Sequence, residues 1–236
     1  MREKIIVALD VETEQEALSL TATLGSYVGA FKVGLQLYNN GGPAMVKKLA
    51  DSGIKIFLDL KFHDIPNTTA RAAEAVVGLG AFMFNVHAAG GKKMMADTAA
   101  AAKKRAEKLG VAAPLLLGVT VLTSMSSEEM REEIGVSRPL EEQVASLARL
   151  CLDAGLDGVV AAAGEIPYIR AVCGNNFLIV TPGIRPAWAA GNDQSRVATP
   201  KEALRLGADY LVIGRPLTAA SHPLEAVKRL LLELEG

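Results

Sequence analysis

The sequence predicts an α/β fold, a single-domain (β/α)8 barrel over residues 1–236, and three observations carry that prediction. Short apolar runs rich in β-branched residues recur along the chain; each precedes a longer stretch at helical spacing; glycines mark the returns. Eight such runs give an average repeat of about 30 residues, the size of one strand–helix unit. Strand, helix and return in steady alternation imply an all-parallel sheet, since parallel neighbours need a crossover. An open doubly wound sheet fits the same rhythm, but eight uninterrupted repeats with no linker or composition shift favour closure.

In chain order, the strands are expected at 4–10 (KIIVALD), 29–34 (GAFKVG), 54–60 (IKIFLDL) and 82–87 (FMFNVH). The second half supplies 114–121 (PLLLGVTV), 157–162 (DGVVAA), 177–181 (FLIVT) and 209–213 (DYLVI). Helical spacing fills 14–24, 42–51, 67–79, 90–108, 139–154, 164–173, 200–206 and 222–234. Gly25, Gly53, Gly80, Gly110, Gly155 and Gly207 stand just past helical stretches, where a left-handed residue ends a helix cheaply. Gly41-Gly42 before Pro43 reads as a helix start, and His222 as the N-terminus of the last helix.

Composition sets limits. Half of the residues are hydrophobic and 22% charged, which excludes disorder and provides ample core. A formal net charge of −1 gives no general case for nucleic acid or an anionic membrane as partner. The longest apolar runs, Ile5–Leu9 and Val159–Ala163, fall well short of the ~18 residues a bilayer span needs. Residues 1–10 do not read as a signal peptide. Cys151 and Cys173 offer neither a disulfide framework nor a paired metal spacing, so the expected compartment is the cytoplasm.

Side chains alternate between the faces of a strand. Ile5, Val7 and Leu9 form one face of the first strand, and Ile6, Ala8 and Asp10 the other. On the same reasoning Ala30, Lys32 and Gly34, then Lys55, Phe57, Asp59 and Lys61, then Asn85 and His87, should point into the barrel. Asp10, Lys32, Asp59, Lys61 and His87 therefore gather near the C-terminal ends of four neighbouring strands, the end where barrel enzymes build their sites. Isolated buried charge is costly, so such a ring must be mutually paired or functional. An ion-pair plug at the barrel mouth is the bland alternative, but closing a barrel requires no alternation of lysine and aspartate.

The segment Asp59-Leu60-Lys61-Phe62-His63-Asp64 has the spacing D-x-K-x-x-D. Asp59 and Lys61, two apart on a strand, face the same way, and Asp64 follows the strand end ahead of the helix signalled by Pro66-Asn67-Thr68. A carboxylate on either side would keep Lys61 an ammonium fixed in place, a proton donor rather than a Schiff-base nucleophile. The loops after the seventh and eighth strands, Pro182–Arg196 and Gly214-Arg215-Pro216, are where such barrels commonly hold phosphate. Gly183 and Gly214 allow close backbone approach, and Arg215 offers a charge-assisted fork. The Gly-, Pro- and Ala-rich composition of 182–196 suits a mobile lid better than a helix.

LDLKFHDIPNT (58–68), AFKVG (30–34), TPGIRP (181–186), NDQSRV (192–197) and VIGRP (212–216) together resemble the orotidine 5′-monophosphate decarboxylases, in order and at one segment per strand from about residue 4 to 217. D-x-K-x-x-D alone is shared with sugar-phosphate relatives, whose metal-dependent members carry an acidic residue where this chain has Lys32. The resemblance implies cofactor-free conversion of orotidine 5′-monophosphate to uridine 5′-monophosphate and CO2, with no metal. It implies a charged array of Lys32, Asp59, Lys61 and Asp64 beside C6 of the pyrimidine, Lys61 protonating the carbanion. Asp10 and Lys32 would hold ribose hydroxyls, Thr123 would lie beside the base, and Arg215 with Gly214 would grip the phosphate. Arg185 and Gln194 would lie on the closing segment. A homodimer is implied, Asp64 and Thr68 each completing the neighbouring subunit's site.

His63, His87 and His222 lack ligand spacing, and the first two are expected to shape the barrel mouth. Met94 and Met95 read as packing residues. Two other functions fit the fold: a metal-dependent sugar-phosphate lyase or decarboxylase, against which Lys32 argues, and a non-catalytic barrel that binds a phosphorylated ligand, which leaves the lysine–aspartate array without a reason.

Overall fold

Strand alternation sorts the apolar side chains into two cores. Ile6, Ala8, Ala30, Phe57, Met83, Leu117, Val180 and Val212 fill the space inside the sheet. Their neighbours one residue along, such as Ile5, Val7, Phe31, Ile56, Leu58 and Phe84, join the larger core between sheet and helices, as do Val33 and Val86 on the same outer face. The structure, a computed structural model, describes residues 1–189 and 197–235. Among these, the strands are β1 (Ile5–Ala8), β2 (Ala30–Gly34), β3 (Ile56–Phe62), β4 (Met83–His87), β5 (Leu115–Val119), β6 (Gly158–Val160), β7 (Leu178–Thr181) and β8 (Tyr210–Ile213). They pair in chain order, each parallel to the next, and β8 closes on β1.

The helices between them are α1 (Glu14–Leu24), α2 (Leu35–Asp51), α3 (Pro66–Gly78), α4 (Gly91–Leu109), α5 (Ser127–Glu132), α6 (Leu140–Asp153) and α7 (Ile166–Cys173). Around and after β8 come α8 (Pro200–Leu206), α9 (Arg215–Thr218) and α10 (Pro223–Glu235). Met94 and Met95 are packed into the outer core, as expected. No helix among the described residues is long and apolar enough to cross a membrane.

Several expectations need correction. Gly53, Gly80, Gly110, Gly155 and Gly207 are left-handed, but Gly25 keeps a right-handed φ of −56°. There the helix continues into a turn, with Gly25 N–H on the Thr21 carbonyl and Tyr27 N–H on that of Leu24, so no reversal is required. Helix α2 begins at Leu35 rather than 42; Gly42, at φ 63°, breaks it and Pro43 restarts it. Helix α5 was not foreseen, although its capping box pairs Ser126 with Glu129 in both directions. The short α9, which Arg215 opens, was missed as well. The first, fifth and sixth strands are shorter than expected, 5–8, 115–119 and 158–160, because the chain leaves the ladder once it reaches the barrel mouth, and Asp10 stands just past the end of β1.

The N-terminal end of the barrel is held by polar pins. Arg170 on α7 donates to the carbonyls of Phe177 (2.5 Å) and Gly207 (2.6 Å) and to Asp209 (2.8 Å), whose carboxylate also takes the Ile179 N–H at 2.8 Å. One guanidinium thus ties the starts of β7 and β8, at the end of the barrel that serves stability rather than chemistry. Arg170→Ala should destabilise the fold by about 2–4 kcal/mol, because it strands a carboxylate and two carbonyls in a half-buried place. Urea unfolding measures this; a change below about 1 kcal/mol would contradict it.

Candidate active site

The D-x-K segment sits where β3 departs from regular pairing. Leu58 lies opposite Phe84 and Phe62 opposite Val86, so four steps along β3 match two along β4. Lys61 takes up the mismatch with φ 52°, the one non-glycine residue at positive φ among those described. The left-handed region costs an L-residue roughly 1–2 kcal/mol, and it persists where neighbouring contacts over-determine it. Here the Lys61 N–H donates to Asn85 Oδ1 at 2.8 Å. Two extra residues preserve the alternation, so Phe62 returns to the outer face and packs on Phe84, ring centres 6.2 Å apart. Simple strand alternation placed Asp59 and Lys61 side by side; they are, but through a bulge rather than a regular strand.

Four charges then alternate from the segment just past β1, across β2, to β3. Lys61 Nζ lies 2.7 Å from Asp59 Oδ1, Lys32 Nζ lies 3.4 Å from Asp59 Oδ2, and the same ammonium lies 3.1 Å from Asp10 Oδ1. Asn85 Nδ2 also donates to Asp59 Oδ1, at 2.7 Å. Burial by itself would push the Asp59 carboxyl up, yet the two ammonium groups and the hydrogen bonds from Lys61 and Asn85 hold it below the ordinary carboxylate range. Gly34 leaves room for the Lys32 ammonium, since a Cβ there would stand 3.1 Å from Nζ. His63 and His87 flank the mouth with ring centres 5.3 Å apart. Burial first, then His63 and Lys61, lower the His87 pKa and favour its neutral form.

Two cavities open at this rim. One, of about 170 Å³, is lined by Asp10, Lys32, Pro182, Gly183, Arg185, Val212, Gly214 and Arg215, among others. The other, of about 220 Å³, is lined by Lys32, Asp59, Lys61 and Thr123 against Phe57, Val119, Val160 and Val212. Lys32, Pro182 and Val212 belong to both walls, so a cationic end and a charge array with an apolar back adjoin. Gly214 faces Asp10 so closely that a Cβ would sit 3.4 Å from its carboxylate.

The structure thus brings together Asp10, Lys32, Asp59, Lys61, Thr123, Arg185, Gly214 and Arg215 of the expected site. Asp64 and Thr68 are exposed and line neither cavity; Asp64 accepts the Ile65 N–H at 2.6 Å, and within this chain the carboxylate on Lys61 is that of Asp59. Gln194, like Arg196, lies outside the described residues. Sequence reasoning placed Asn85 on the inner face but gave it no task. Its signal was available: a polar residue between Phe84 and Val86, in the middle of the strand rather than at its end.

These features define a class, the (β/α)8 barrels with a polar site for a phosphorylated ligand at the C-terminal rim. The family model of the orotidine 5′-phosphate decarboxylase / HUMPS family matches residues 3–230, and the chain belongs to that family. It is 53% identical over 235 residues to the orotidine 5′-phosphate decarboxylase of Syntrophomonas wolfei subsp. wolfei, covering 99% of this chain and 98% of that one. The enzyme of that name from Moorella thermoacetica is 53% identical over 234 residues, covering 99% and 93%. A crystal structure of orotidine 5′-phosphate decarboxylase from Lactobacillus acidophilus superimposes with a TM-score of 0.86 at 39% identity, covering 98% of this chain and 99% of that one.

Because lysine charge opposes the effect of burial on Asp59, Lys32→Ala should raise the Asp59 pKa. In the intact protein the ionised array contributes stability above the ordinary carboxylate value and loses it only as pH falls through the depressed one. The variant should lose it at a higher pH. Carboxyl ¹³C NMR titration reads the shift directly, and an unmoved Asp59 would contradict the assignment.

Proposed function

We propose that the chain is a single catalytic barrel that converts orotidine 5′-monophosphate to uridine 5′-monophosphate and CO2. The observation that carries this reading is the alternating Asp10–Lys32–Asp59–Lys61 array on a cavity wall that adjoins an arginine-lined one. A nucleotide monophosphate fits that order: phosphate at Gly214 and Arg215 with Arg185 nearby, ribose hydroxyls at Asp10 and Lys32, and the pyrimidine between Thr123 and the Asp59–Lys61 pair. The C6–carboxylate bond breaks, CO2 leaves, and the electron pair remains on C6. The Lys61 ammonium then gives C6 a proton and is recharged from solvent.

Magnitudes apportion the work. A vinylic carbanion without an electron sink needs stabilisation towards the upper part of ~8–23 kcal/mol. One positioned acid typically contributes ~10²–10⁴-fold, roughly 3–5 kcal/mol. The larger share falls to the array, which is held in place before substrate arrives and so costs no reorganisation as charge develops. Phosphate binding contributes remotely, by spending its energy on closing the site. The Lys32 and Lys61 ammonium groups together already balance the Asp10 and Asp59 carboxylates, which supports the cofactor-free reaction over the metal-dependent sugar-phosphate chemistry.

The second subunit supplies what one chain leaves out. In this reading the exposed Asp64 and Thr68, with apolar Leu35 and Ile65 on the same rim, meet the site of a two-fold partner. Cytoplasmic pyrimidine nucleotide synthesis is the matching setting.

Loss of orotate absorbance on adding orotidine 5′-monophosphate, unchanged by EDTA, tests the function; stable absorbance would defeat it, and EDTA-sensitive activity on a sugar phosphate would favour the rival. Lys61→Ala should abolish turnover while retaining uridine 5′-monophosphate binding, and loss of that binding would mean the lysine chiefly holds ligand. Arg215→Ala should raise KM about 10–100-fold for the nucleotide but not for the nucleoside orotidine. Mixing Lys61→Ala with Asp64→Ala should restore about a quarter of wild-type activity, because half the dimers are hybrids with one intact site each. No recovery despite subunit exchange would put Asp64 in its own subunit's site.

A further inference from the structure

Building on the decarboxylase reading, we propose that Asn85 is a positioning residue for proton transfer: its amide fixes the left-handed backbone of Lys61 with one end and the Asp59 carboxylate with the other. Asn85 is fully buried on β4 and lines neither cavity, so it meets no substrate. Its Oδ1 accepts the Lys61 N–H at 2.8 Å, and its Nδ2 donates to Asp59 Oδ1 at 2.7 Å. That carboxylate oxygen also receives Lys61 Nζ at 2.7 Å. Both ends of Lys61 are therefore referred to one side chain, the backbone directly and the ammonium through Asp59. The orientation of the amide follows from its partners, because the reverse would set N–H against N–H and oxygen against carboxylate.

The lysine needs such help. Its four-carbon stem is flexible, and nothing in a strand ladder holds a residue at φ 52°. A misplacement of about 1 Å between reacting groups can cost about 10²-fold in rate. The amide carries its acceptor and its donor on two separate atoms, one for each partner; leucine has neither, and an ionised aspartate keeps acceptors alone. The charged groups around it are Asp59 and Lys61 on β3 and Lys32 on β2, with His87 two residues on along β4 and apolar Leu117 opposite on β5.

The test compares wild type, Asn85→Leu and Asn85→Asp from pH 5 to 9. It measures kcat and KM for orotidine 5′-monophosphate, uridine 5′-monophosphate affinity by calorimetry, and folding by circular dichroism. Asn85→Leu should lose about 10²-fold in kcat while nucleotide affinity stays within about three-fold. Asn85→Asp places a carboxylate against Asp59; the pair should share a proton as pH falls, restoring the donor, so its kcat should rise towards acid where the wild type's does not. An unchanged kcat in Asn85→Leu, equal losses of kcat and affinity, a flat Asn85→Asp profile, or failure of both variants to fold would overturn the proposal. An inactive wild type would defeat the decarboxylase reading itself, whereas an active wild type beside a fully active Asn85→Leu defeats only the role of Asn85.

Discussion

The Asp59 carboxylate is the point on which the site depends. It is mostly buried, it takes an ammonium on each oxygen, and it accepts the Asn85 amide as well. A carboxylate so enclosed would favour its neutral form if the lysines left, and the lysines would lack a counter-charge if it did. Each charge is therefore tolerable only because the others are present. That mutual dependence turns a costly set of buried ions into a rigid one, and rigidity is what electrostatic catalysis requires.

The barrel supplies the means of holding it. Parallel pairing brings the ends of β1, β2 and β3 side by side, so Asp10, Lys32 and Asp59 meet without long loops. Small residues at the rim, Gly34 and Gly214, leave space that side chains would fill. The bulge in β3 then turns Lys61 back over Asp59, at the cost of an unusual backbone. Below this layer Phe57, Met83, Leu117 and Val180 pack the interior and exclude water from the underside of the array. The loops after β7 and β8 contribute Arg185 and Arg215 to the adjoining cavity, which places the cationic end beside the array rather than within it.

Much of this was legible in the sequence because it follows from two periodicities. Alternation alone sorted Ile6, Ala8, Ala30 and Phe57 inward and Ile5, Val7, Phe31 and Val33 outward, and both cores agree. The positions of Asp10, Lys32, Asp59 and Lys61 followed from the same rule. The misses share a physical cause, for they depend on pairing between segments. The β3 bulge is a mismatch of register with β4, invisible in either strand alone. Gly25 looked like the other helix-ending glycines, and only its onward turn kept it right-handed. Helix α5 was announced by its capping box but is too short to show a period. Asp64 and Thr68, read from family resemblance, stand outside the chain's own cavities, where periodicity has nothing to say.

The central claim is that the Lys61 ammonium, held by Asp59, lies where charge develops on the pyrimidine ring. A crystal structure of this chain with a uridine 5′-monophosphate analogue bearing an anionic oxygen at C6 examines that claim most directly. The account predicts Lys61 Nζ at hydrogen-bond distance from that oxygen, about 2.7–2.9 Å, with its contact to Asp59 intact. A bound analogue whose C6 oxygen faces the apolar wall, with Lys61 turned elsewhere, would contradict it.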